Sequence, residues 1–389
     1  MSGVLRLREL DPWRVEPLTD ARARELLASG VVDVRPGTTG GWEVRAGRWV
    51  GAARVGDAEV HIAPKVPIAR LMFLLGYLTD PRAWRDDVVS VEAADDLTVA
   101  AAEALSRQAD AALRWGVLQG YISVEDALPT VRGRIREADQ LRRRYGAALP
   151  VEIRYDDYTV DVAENRILLT AVERMLALDG IGQLARHRLA RSRQRLAEVT
   201  PLVPRAPLPA WQPSRLNARY VPALRLAELV LASTSWDLGT GAVPVTGFLV
   251  SMPRVFEAFV CTALSEHIVR TGGSAAAQDK SRTLDDDGAV DLRPDLVWYG
   301  ADGQPAAVID AKYKAERYDG FPNADIYQVL AYCTAFGLPK GHLVYAAGNE
   351  EPRTYTISAA GMTVVAHCLN LEAPPDALLR QVADLAGRL

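Results

Sequence analysis

Cysteine is scarce in this 389-residue chain. Cys261, Cys333 and Cys368 are too few and too scattered for a disulfide framework or a Cys-X-X-Cys metal site, which fits a reducing cytoplasm. The five histidines are equally dispersed, and no pair has metal-ligand spacing. Long apolar runs are missing too. Stretches such as Leu71–Leu75 fall far short of the ~20 residues that a membrane-spanning helix needs, so no contact with a membrane is expected. The N-terminus, MSGVLRLREL, carries charges where a secretory signal has its apolar stretch, and the expected location is cytoplasmic. No segment matches G-x-x-x-x-G-K-S/T, so nucleotide hydrolysis by this chain alone is not expected. Neither a G-x-S-x-G elbow nor an H-E-x-x-H helix is present, which removes the common serine-hydrolase and zinc-protease chemistries.

What remains has the composition of a folded globular chain, with 49% apolar and 24% charged residues. A formal net charge of −4 argues against a protein that grips DNA through a uniformly basic surface. Contact with nucleic acid must then be local or shared with a partner. Arg132 to Arg144 holds six arginines and Arg186 to Arg195 five. Each stretch reads equally as the solvated face of a loop or helix.

The length exceeds what one hydrophobic core usually supports, so two or three domains are expected. Residues 41 to 66 mix short β-prone runs with Gly and Asp punctuation, and Gly56-Asp57 reads as a hairpin turn. Residues 1–95 are therefore expected to form a mainly β domain with one or two helices, apart from the C-terminal domain. From Thr98 onward apolar residues recur at helical spacing, which predicts a helical middle region over 96–200. The segment TPLVPRAPLPAWQPS, Thr200 to Ser214, holds five prolines and reads as the main connector, or as a packed loop. Residues 201–389 then present helix, hairpin, strand and helix in order, an α/β arrangement with a mixed sheet flanked by helices.

The chemistry concentrates in LRPDLVWYGADGQPAAVIDAKYK, Leu292 to Lys314. Two β-prone runs flank Asp302-Gly303, a dipeptide suited to a two-residue type I′ turn. That register sets Asp295 directly opposite Asp310, and Lys312 shares the face of Asp310 because alternate residues of a strand point the same way. Like charges so placed repel and call for a compensating cation. Two carboxylates suit Mg²⁺, which keeps several waters, with Mn²⁺ as the alternative. Lys312 is then placed to act on the attacking water or on the charge growing on a phosphate. A plain strand-end ion pair accounts for the D-x-K alone, but a charge ending so apolar a strand is costly without a purpose.

Two helices flank this ribbon. On PRVFEAFVCTALSEHIV, Glu257 shares a stripe with Cys261, Leu264 and Ile268, where a snorkelling or capped glutamate near the helix start is also expected. On ADIYQVLAYCTAF, Asp325, Gln328 and Tyr332 fall on one face.

P-D, a gap, then D-A-K after an apolar strand resembles the PD-(D/E)XK nuclease superfamily, and Q-x-x-x-Y after it resembles the RecB-like branch. Across most of the chain, VGAARVGDAEVHIAPKV, DYTVDVAENRILLTAVERML, FEAFV and LRPDLV…VIDAKYK resemble the McrC family in order. The resemblance implies a C-terminal PD-(D/E)XK nuclease domain over 201–389 in a modified-cytosine restriction system. Its implied catalytic set is Asp295, Asp310, Lys312, Glu257 and Gln328, with Asp295, Asp310 and Glu257 holding Mg²⁺. It further implies double-stranded DNA with modified cytosine as substrate and a McrB-like AAA+ GTPase oligomer as partner, docked on residues 1–95. Two alternatives stay open: a RecB-like repair or recombination nuclease, and a GTPase-activating scaffold subunit with a weak nuclease site.

Overall fold

The computed structural model of the chain describes residues 4–38, 40–79, 96–145, 147–178, 180–203, 206–233, 245–313, 323–346 and 351–389. The first third runs β1 (Val4–Arg8), β2 (Arg14–Glu16), α1 (Asp20–Ser29), β3 (Val32–Pro36), β4 (Trp42–Ala46), β5 (Trp49–Val55), β6 (Ala58–Ala63) and α2 (Ile68–Thr79). Next come α3 (Leu97–Leu113), β7 (Gly120–Leu128), β8 (Arg134–Ile135), α4 (Glu137–Arg144), β9 (Val151–Thr159), α5 (Ala163–Leu176), α6 (Gln183–Arg195) and α7 (Val221–Ser233). The last part holds β10 (Val245–Ser251), α8 (Met252–Arg270), β11 (Ser274–Ala277), β12 (Leu296–Tyr299), β13 (Pro305–Lys312) and α9 (Asn323–Phe336). It ends with β14 (Lys340–Tyr345), β15 (Arg353–Ile357), β16 (Met362–Cys368) and α10 (Pro375–Ala386). Among the described residues no helix is long and apolar enough to cross a membrane.

This mixed α/β chain packs as two compact units, residues 1–100 with 233–389, and residues 101–232. The division differs from the one expected at 95 and 200. Residues 80–95, where the first boundary was expected, lie outside the described residues. The physical reason for the difference is a long-range pairing. β10, from the second half of the chain, lies antiparallel along β5 with all seven of its residues in register, completing the sheet β1-β6-β5-β10. Residues 1–95 therefore do not end their own sheet, and the expectation that they fold apart from the C-terminal half is corrected. Gly56-Asp57 does form the two-residue loop between β5 and β6, with Gly56 at φ +55°. A smaller sheet, β2-β4-β3, lies in the same unit.

The sheet that carries the candidate site has the order β11-β12-β13-β14-β16-β15. β11, β12 and β13 are antiparallel neighbours, whereas β13, β14 and β16 run parallel, and β15 is antiparallel again. As a central strand covered on both faces, β13 is buried from Ala307 to Ala311. α9 crosses between β13 and β14 and lays Val329, Tyr332, Cys333 and Phe336 on a core shared with Val308, Leu343, Tyr345, Val364 and Ala366. α8 packs along β11, β12 and β13.

On the sheet face opposite Leu343, His342 and His367 form a buried pair with Nδ1 and Nε2 2.9 Å apart. Burial pushes His342 down to about 3 and His367 down to about 4. Both fold with fewer protons than they hold when unfolded, so their contribution is complete above pH ~6.5 and is lost as the pH falls toward 4. A His342→Leu/His367→Leu variant removes that loss. Relative to the wild type it is expected to gain roughly 2–4 kcal/mol between pH 7 and pH 5 in urea melts. A constant difference between the two proteins across that range would refute this.

Residues 101–232 carry a correction as well. The middle region is helical in α3, α5, α6 and α7, but it also holds a three-stranded antiparallel sheet, β7-β9-β8. Its strands, GYISVEDAL and VEIRYDDYT, alternate apolar with charged residues over a largely exposed ribbon, a pattern outweighed by the helical periodicity around it. The Arg132–Arg144 stretch is mostly ion-paired with its own unit: Arg132 with Asp157, Arg136 with Glu125, and Arg143 and Arg144 with the buried Glu152. The proline-rich segment is a packed loop inside this unit. Leu202 N–H donates to Thr170 Oγ1 at 2.9 Å, and Trp211 Nε1–H to Glu228 Oε1 at 2.7 Å.

Candidate active site

The hairpin between β12 and β13 sets the geometry. Gly300 N–H donates to Gln304 O at 2.9 Å and Gly303 N–H to Gly300 O at 2.9 Å, with Gly303 at φ +77°. The loop is thus three residues, Ala301 to Gly303, rather than the two expected, with glycine in the left-handed position such loops require. One extra loop residue by itself reverses which side chains face each other. A β-bulge at Trp298/Tyr299 takes the shift back: Tyr299 pairs with Pro305 but Trp298 with Ala307, leaving Ala306 as the additional residue. Leu296 consequently faces Ile309, and the register expected for Asp295 and Asp310 is restored by compensation.

Asp295 precedes β12 and is 8% exposed, and Asp310 lies within β13 at 1%. Asp295 Oδ2 accepts the Ala311 N–H at 2.8 Å, which fastens it to β13 one residue beyond Asp310. Lys312 forms an ion pair with Asp310 Oδ2 and keeps a fifth of its side chain exposed. That oxygen is sealed from solvent and has no hydrogen bond of good geometry, so only the ammonium charge answers it. Burial pushes Asp310 up to about 6, with the Asp295 charge adding to the shift and Lys312 opposing it. Burial also raises Asp295, against the Ala311 hydrogen bond and helped by the Glu257 charge. The three side chains expected to cluster are brought together.

The two flanking candidates are placed differently. Glu257 sits half-buried on α8, above the buried Cys261, Leu264 and Ile268 of its stripe. It reaches the acid pair through Gln278, whose Nε2 donates to Glu257 Oε1 and to Asp295 Oδ1, the latter at 3.3 Å. Among the described residues no three His, Cys, Asp or Glu side chains converge as a metal cluster, and the Glu257 charge acts directly on the Asp295 carboxyl. Gln328 is exposed on α9 and donates to the Tyr332 hydroxyl at 2.9 Å, which in turn donates to Arg293 O at 3.1 Å. It touches neither aspartate. Burial, then the Asp310 charge, raises Tyr332, placing its hydroxyl close to the acids as a neutral donor.

Gln278 is the residue that the sequence concealed. It follows β11 at φ +52°, a left-handed conformation that costs a residue bearing a β-carbon about 1–2 kcal/mol. Its N–H donates to Asp295 O at 3.0 Å, and Cys261 Sγ donates to the same carbonyl at 3.3 Å. Nothing in GGSAAAQDK marks it out by type or spacing.

The donor set, two buried carboxylates short of positive charge, fits a hard divalent cation with water completing its shell. A family model described as "McrBC 5-methylcytosine restriction system component" matches residues 44–346. No match is found among curated proteins. Among solved structures, a chain of the "Refined half-complex from tetradecameric assembly of Thermococcus gammatolerans McrB AAA+ hexamers with bound McrC" is similar at 17% identity. Its TM-score is 0.63 with 100% of both chains covered, which shows a common fold. A chain of the Thermococcus gammatolerans McrBC complex is 18% identical over 67% of this chain and 87% of that one, with a TM-score of 0.40.

Proposed function

This chain belongs to the family of McrBC 5-methylcytosine restriction system components, and from that premise we propose that it is the DNA-cutting subunit, a PD-(D/E)XK phosphodiester hydrolase. The observation that carries the reading is the meeting of Asp295, Asp310 and Lys312 on one ribbon, with both acids buried and raised. Asp295 and Asp310 hold Mg²⁺, or Mn²⁺ in its place. When bound, the cation supplies Lewis-acid charge that neutralises the phosphodiester under attack. Lys312 brings its ammonium to the exposed mouth of the site, where it orients the attacking water and offsets the charge growing on phosphate. Tyr332 keeps its hydroxyl neutral and hydrogen-bonded behind the acids. Glu257 shares the Gln278 carboxamide with Asp295 and adds its negative charge to the acid pair.

The partner we propose is an AAA+ GTPase encoded apart from this chain. The solved assembly that this fold resembles contains McrB AAA+ hexamers with bound McrC, and the missing G-x-x-x-x-G-K-S/T segment agrees with the McrC side of that division. The test mixes the purified chain with such a GTPase, GTP, Mg²⁺ and duplex DNA with or without 5-methylcytosine. Double-strand breaks that need GTP, Mg²⁺ and the modified base are expected. Breaks at DNA ends without GTP point to the RecB-like alternative, and GTP hydrolysis without breaks to the scaffold alternative.

A further inference from the structure

We propose that Gln278 is a positioning residue for the cation site, tying Glu257 on α8 to Asp295 and so fixing how Asp295 presents its oxygens to the metal. The inference rests on the nuclease reading above and adds to it a residue outside the D…D-x-K pattern.

Three separate contacts from one residue converge on Asp295 or its neighbour. The Gln278 N–H holds the Asp295 carbonyl at 3.0 Å, and the carboxamide nitrogen spans Asp295 Oδ1 and Glu257 Oε1. Both neighbours of the carboxamide are carboxylate oxygens, which only accept when ionised, so the nitrogen end faces them. With Ala311 N–H holding Oδ2 from the other side, Asp295 is clamped at each oxygen and at its carbonyl. A clamp of this kind removes rotamer freedom that a metal ligand otherwise loses on binding.

The left-handed backbone is the second, independent sign. Glycine adopts φ +52° without strain, yet the position carries a long amide. Strain of this sort persists where neighbouring structure fixes it, and it gathers at sites of function. Here the conformation is what turns the side chain off the end of β11 to reach α8 and Asp295 together. It also holds Glu257 and Asp295 on one donor, so that the two like-charged carboxylates are spaced by the amide they share.

The test separates side chain from backbone. Gln278→Gly keeps the left-handed turn and the N–H to Asp295 while deleting the side chain and its carboxamide; Gln278→Glu keeps the length but removes the donor. With the full-length chain and Mn²⁺ alone, followed by electron paramagnetic resonance, both variants are expected to bind the ion roughly 10- to 100-fold more weakly. The glycine variant is expected to melt no lower than the wild type. In cleavage assays the loss should appear as a higher Mn²⁺ requirement, with kcat recovered at saturating ion. Wild-type Mn²⁺ affinity in the glycine variant overturns the proposal while leaving the nuclease reading intact. No Mn²⁺ uptake by the wild type overturns the metal reading, and this inference falls with it.

Discussion

Lys312→Ala is expected to lower DNA cleavage by roughly three orders of magnitude or more, while the chain still folds and still meets its partner. The size of the loss follows from position. Lys312 is the charge that answers a sealed oxygen of Asp310, and its exposed end opens toward solvent and substrate. On the proposed reading its removal takes away stabilisation of the phosphate, and it also releases Asp310 to rise further, which favours protonation of a carboxylate proposed to hold the cation. Asp310→Asn gives a paired expectation of opposite signs for activity and stability. It abolishes cleavage, but without divalent ions it is expected to raise stability at pH 7 by about 1 kcal/mol, because the folded state holds the ionised acid at a cost that the neutral amide avoids. Thermal melts with and without Mg²⁺ and a plasmid-nicking assay read both. Undiminished cutting by either variant would falsify the assigned site.

The second large effect concerns stability. Gly247→Ala is expected to destabilise the protein by about 3 kcal/mol or more, seen as insoluble expression or an early urea transition. A β-carbon at 247 overlaps the Ala52 carbonyl oxygen and comes to 2.5 Å from Ala53 Cα. Those obstacles are backbone of a paired strand, which cannot step aside as a side chain tip does. The same crowding recurs where Gly51, at φ +118°, faces Phe248 and Leu249. β10 runs directly into α8, so loosening this seam disturbs the helix that carries Glu257 and Cys261. Deleting residues 1–95 removes the partner strand of β10 altogether and is expected to cost the C-terminal half its fold. A soluble, sharply melting Gly247→Ala protein would show the seam to be more compliant than these distances imply.

The acids of the site were legible because they sit on a local element. β-Prone runs on each side of an Asp-Gly turn place Asp295, Asp310 and Lys312 with no knowledge of the rest of the chain, and the bulge at Trp298/Tyr299 keeps that register despite the longer loop. The half-buried stripe of α8 likewise singled out Glu257. What joins them was not legible. Gln278 works through a left-handed turn and two carboxylates distant in sequence, and neither leaves a spacing to read. The β5–β10 pairing hid for a similar reason, since its strands come from opposite halves of the chain and no local pattern names a distant partner. The β7-β9-β8 sheet is hard to read because its ribbon is short of apolar residues and largely exposed, while the neighbouring helices carry the stronger apolar period. Gln328 shows the reverse error of scale: helical spacing put it beside Tyr332 correctly, but spacing does not reveal whether a face looks inward.

Ala306, left over where Tyr299 and Trp298 change partners, has a bearing on how such a ribbon tolerates altered length. The connection between the two acids is free to gain a residue so long as a bulge in the returning strand absorbs it, because the ladder from Val297–Val308 onward then stays in step. A single-residue insertion within Ala301–Gly303 should be accepted, whereas one between Val308 and Asp310, which moves the rung itself, should be rejected. The number of residues separating the acids is therefore a loose quantity, whereas the rung on which they meet is a fixed one.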